Sequence, residues 1–69
     1  MTREQIREAI IEMDCLSAME ADVLAGEMHN AIEKNTEEAR QRALAILDWL
    51  NMTDRIYFKN YLDLRDLIF

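Results

Sequence analysis

Apolar residues recur at three- and four-residue spacing along most of the chain, and the pattern divides into four stretches, each the period of a helix with one face buried. Ile6, Ala9, Ile10 and Met13 form the first stripe, with Ile11 off it. Ala21, Leu24, Ala25, Met28, Ala31 and Ile32 form the second, and Ala39, Ala43, Ile46, Leu47 and Leu50 the third. Tyr57, Tyr61, Leu64 and Ile68 form the fourth. Strand alternation is absent throughout.

Helix starts are marked by side chains able to accept from free amides in a first turn. Thr2 with Gln5 and Ser17 with Glu20 fit capping boxes, and Leu16 is placed as a staple residue ahead of the second. Asn35 or Thr36 is positioned to cap a third helix, with Glu38 completing a box to Asn35 and Glu37 in its first turn. Thr53 is the natural cap of a fourth, with Asp54 in its first turn. The expected elements span residues 3–13, 18–34, 37–50 and 54–68, in an all-α fold. Links of two to four residues make this a compact bundle of three to four short helices, residues 1–69 forming a single domain. The stretch from Ala39 to Leu50, which holds the sole tryptophan, reads as its scaffold.

Several apolar residues fall outside those stripes. Met19, Val23 and Gly26 make a short seam on the back of helix 2, where the glycine suggests a close contact. Phe58, Leu62 and Phe69 make a second stripe on helix 4, flanked by Ile56 and Leu67, so the apolar arc is about twice the 100° that one interface needs. Met19, Val23, Gly26, Phe58, Leu62 and Phe69 are the candidate partner interface. Small size points the same way, since 69 residues bury only about 60% of the unfolded surface. One cysteine excludes an intrachain disulfide, and one histidine with one cysteine excludes a four-ligand Cys/His zinc site. Oligomerisation or a bound partner remains.

Charge narrows the choice of partner. Residues 1 to 38 carry ten acidic and three basic side chains, and residues 39 to 69 carry four and five, for a net charge of −6. Such a balance disfavours general nucleic-acid binding, which requires a basic stripe. It suits a basic protein surface, or serves only to solubilise. Arg40, Arg42, Arg55, Lys59 and Arg65 supply the alternative, a dimeric nucleic-acid-binding regulator using helices 3 and 4. His29 and Glu33, at i and i+4, provide two donors of one chain, too few for a metal site. Cys15 precedes a helix start without a nearby base. Phosphate loops, nucleophile elbows and paired-carboxylate motifs are absent, so no catalytic residue, metal or cofactor is expected.

The expectation is a non-enzymatic, acidic helical protein acting through protein–protein contact as a regulator, inhibitor or adaptor of the kind mobile elements carry. Its partner would be a second copy or a larger protein with a basic surface. With no membrane-length apolar run and no apolar leader, a cytoplasmic location is expected.

Overall fold

Three residues in the left-handed region redirect the chain, and none is glycine: Asp14 (φ 54°), Asn35 (φ 50°) and Asp54 (φ 57°). Asn and Asp tolerate this conformation better than other side chains, which is how a chain with one glycine and no proline makes three reversals. Between them, a computed structural model describing residues 1–69 contains α1 (Arg3–Glu12), α2 (Ala18–Lys34), α3 (Glu37–Met52) and α4 (Phe58–Ile68), with no strand. The fold is an all-α bundle.

Both sequence-read capping boxes form. The Gln5 amide donates to Thr2 Oγ1 (3.2 Å) and the Thr2 amide to Gln5 Oε1 (2.8 Å). The Glu20 amide donates to Ser17 Oγ (3.2 Å) and the Ser17 amide to Glu20 Oε1 (3.1 Å). Thr36 caps α3 through the Ala39 amide, while Asn35 closes α2 from its left-handed conformation, so the Asn35–Glu38 box does not form. Asn35 Oδ1 instead accepts from Arg40 Nη1 at 2.8 Å.

The fourth helix departs from the expected span. Thr53 ends α3 rather than starting α4: its hydroxyl donates to the carbonyls of Trp49 (2.8 Å) and Leu50 (3.3 Å). Beyond it, the Asp54 amide donates to the Asn51 carbonyl and the Arg55 amide to the Leu50 carbonyl, with Asp54 left-handed between them, so a Schellman closure occupies the residues expected to begin the next helix. α3 therefore runs two residues beyond Leu50, and α4 starts at Phe58 behind Tyr57, which supplies no side-chain cap bond. The shift changes which faces are buried. Ile56, read as a flank residue, enters the core from the connecting segment, and Tyr57, read as the first residue of the core stripe, is exposed.

The core gathers 15 buried residues from all four helices and the last connection, none of them polar or charged. Ile6, Ile10, Leu24, Met28 and Leu47 are fully buried. α2 is the hub, packing against α1, α3 and α4, whereas α3 meets only α2 and α4, and α1 meets only α2. Ala21, Ala25 and Ala31 on the buried face of α2 keep that face low enough for three neighbours to approach. Arg7 Nε donates to Asp22 Oδ1 at 3.0 Å across the α1–α2 surface. No helix is long and apolar enough to cross a membrane.

Candidate interaction groove

Where α2 and α3 run side by side, their solvent-facing edges diverge and leave an open groove of about 460 Å³, lined by Met19, Glu20 and Val23 from α2 and by Ala45, Ile46, Trp49 and Leu50 from α3. Six of the seven are apolar. Local structure explains why they stay in view. The buried stripes of both helices are already committed to the core, so Met19 and Val23 sit on the next rows of α2, and Trp49 on the next row of α3. Met19 is 78% exposed, Val23 56% and Trp49 53%.

One end of the groove is held by a charged cluster. Arg55, from the α3–α4 connection, forms an ion pair with Glu20 and places its guanidinium 5.7 Å from the centre of the Trp49 ring. The Glu20 carboxyl lies below its ordinary value of 4.5, chiefly because it accepts the Ser17 amide, then through the Ser17 hydroxyl, with Arg55 adding attraction against some desolvation. A single carboxylate therefore caps α2, ties the last connection to the first turn of α2, and orients the cation that covers one edge of the tryptophan.

The other apolar surface lies on α4. Phe58, Leu62 and Phe69 share one face beside the buried row of Tyr61, Leu64 and Ile68, and all three are exposed. Phe58 stacks on Tyr61 with ring centres 5.9 Å apart, and Arg65 lies 5.6 Å from the centre of the Phe69 ring. Tyr61 ties this helix to α3 by donating its hydroxyl to Asp48 Oδ1 at 2.6 Å. That bond to a carboxylate stabilises the protonated phenol, and with partial desolvation and the negative charge of Asp48 it raises the Tyr61 pKa.

Of the six residues singled out in the sequence, the structure brings Met19 and Val23 into the groove and places Phe58, Leu62 and Phe69 together on α4. Gly26 lies elsewhere. The nearest atoms to a Cβ built there belong to the Arg3 guanidinium, at 3.4 to 3.7 Å, so a flexible side chain approaches it rather than another backbone. Trp49, Ile46 and Ala45 belong to the stretch that the sequence marks as scaffold, yet they form the second wall of the groove. The available signal was Trp49 itself, a large aromatic off the buried stripe.

The other chemical candidates remain dispersed. His29 Nε2 lies 3.5 Å from Glu33 Oε1, and nowhere do three or more potential metal-binding side chains gather. Cys15 is a half-buried free thiol packed against the core. Three of the five cations of the second half have partners of their own, Arg55 on Glu20 and Trp49, Arg40 on Asn35, and Arg65 on Phe69. Comparison of the chain with protein-family models, curated proteins and solved structures finds no match.

Proposed function

We propose that this chain is a non-enzymatic binding protein that acts as a regulator, inhibitor or adaptor by docking on a protein surface through the α2–α3 groove and the α4 aromatic stripe. The observation that carries the reading is the groove itself, an open cleft between two helices walled by Met19, Val23, Ile46 and Trp49. Exposed apolar surface of this kind, on a domain with little core to spare, is characteristic of protein contact sites. A small-molecule site would enclose its ligand and present several convergent polar groups. Here the lining offers only Glu20, already engaged by Ser17 and Arg55. Tryptophan and methionine side by side are typical of residues on which interfaces concentrate their binding energy and adaptability.

The test is affinity capture from the native cell lysate with the intact chain, beside Val23→Asp and Trp49→Ala variants of matched helical content. The reading predicts a protein partner retained by the intact chain and lost from both variants. Equal recovery of every partner by all three proteins would contradict it.

A further inference from the structure

We infer that the surface seated on the groove is the α4 stripe of a second copy of this chain, in a reciprocal dimer where each copy supplies one groove and one stripe. The inference rests on the functional reading above and names its partner. The chain carries an apolar groove between α2 and α3 and an exposed apolar stripe on α4, at Phe58, Leu62 and Phe69. The two cannot cover one another within a molecule. α4 packs on the flank of α3 bearing Asp48, while the groove opens on the flank bearing Ala45, Ile46 and Trp49, with exposed Met52 on the row between them. A two-fold axis relating two copies would present each stripe to the opposite groove. Such an isologous arrangement closes, whereas one-way docking would propagate into a filament.

Charge favours this pairing. Residues 1 to 38 carry a net charge of −7 and residues 39 to 69 a net charge of +1, so dimerisation through the α1–α2 surface would set the two acidic halves against each other. α4 instead presents Arg65 beside Phe69, and α2 presents Glu27 one turn beyond Val23; neither forms an ion pair within the chain. Seating the stripe in the groove brings these opposite charges to one interface. Area is also sufficient: with Met19, Val23, Trp49, Phe58, Leu62 and Phe69 each giving up on the order of 100 Å² in both copies, the contact reaches about 1,200 Å², the lower bound of stable interfaces.

Sedimentation equilibrium of the full chain from micromolar to millimolar concentration tests the inference. The mass is expected to rise from 8.2 kDa towards twice that value. Val23→Asp in the groove and Leu62→Asp on the stripe should each weaken association at least tenfold with circular dichroism unchanged, since both positions are exposed. Mixing these two variants should recover association, because one intact groove and one intact stripe remain in the mixed pair. Glu27→Arg should weaken the dimer, and adding Arg65→Glu should restore it. A mass fixed at 8.2 kDa throughout, or a dimer indifferent to both Asp variants, overturns the inference. If the chain is monomeric yet loses a captured partner on Val23→Asp, the second-copy inference falls and the functional reading stands; if capture is unchanged as well, both fall.

Discussion

The α2–α3 pair and α4 are built from similar proportions of apolar residues and use them differently. α2 and α3 begin on side-chain caps and bury Leu24, Met28, Ala43 and Leu47 completely. α4 begins on Tyr57 with no side-chain cap, reaches the core through Tyr61, Leu64 and Ile68, and leaves Phe58, Leu62 and Phe69 in solvent. The difference teaches that an apolar residue of this chain serves the fold only where a hub helix receives it. α2 already receives three neighbours, and what it cannot accommodate stays exposed on α4 and along the groove.

The largest expected effect separates these two regions. Leu47→Ala, in the α2–α3 core, should cost about 3 to 4 kcal/mol, enough to abolish most of the stability expected of a domain this small. Ile68→Ala, in the last turn of α4, should cost about 2 kcal/mol, because a helix end with solvent on one side can relax around the lost atoms. Thermal melts followed by circular dichroism check both. Equal losses would show α4 to be as integral to the core as α3.

A smaller effect concerns the charged end of the groove. Ser17→Ala should cost about 1 kcal/mol by removing the α2 cap. The lowered pKa of Glu20 adds a pH signature. Its contribution is present above the ordinary carboxyl value of 4.5 and is lost as the pH falls through the lower folded value, so acid unfolding should be less steep in Glu20→Gln.

At the other extreme of pH, Tyr61 carries the tie between α3 and α4. Its folded pKa is raised above the ordinary value of 10.0, so the stabilisation is complete below pH 10 and is lost as the pH rises through the folded value. Tyr61→Phe should lower the melting midpoint by roughly a few degrees at neutral pH. The gap from the intact chain should close in strong alkali, which a melt series across pH would show.

The smallest effect has the opposite sign. Gly26 sits within α2 without a positive φ, and its added Cβ would meet only the movable Arg3 side chain at 3.4 Å. Gly26→Ala should therefore stabilise by about 0.5 to 1 kcal/mol, read as a raised denaturant midpoint. A loss of stability would restore Gly26 as a site of close approach.

These regions were not equally legible in the sequence. Capping boxes and stripes are local signals, so α1 and α2 and the start of α3 follow from residues a few positions apart. The boundary between α3 and α4 does not. Thr53 is as competent to satisfy the last carbonyls of one helix as the first amides of the next, and the left-handed Asp54 decides between them only in the folded chain. The same displacement took Tyr57 out of the core and put Ile56 in. At the groove, the off-stripe positions of Met19 and Val23 marked one wall. The opposite wall depends on how α3 lies against α2, which periodicity does not specify, so the sequence alone places Trp49 with the scaffold.

Trp49 is also the most direct reporter of the central claim, that the α4 stripe of a second copy covers the groove. It is the only tryptophan, lies 53% exposed on the groove wall, and should emit as a solvated indole in dilute solution. Its fluorescence should shift to shorter wavelength as the intact chain is concentrated, and should not shift in Leu62→Asp, whose own groove is unaltered but whose stripe cannot fill the opposite one. A Trp49 emission maximum that stays constant across the same concentration range in the intact chain would contradict the account.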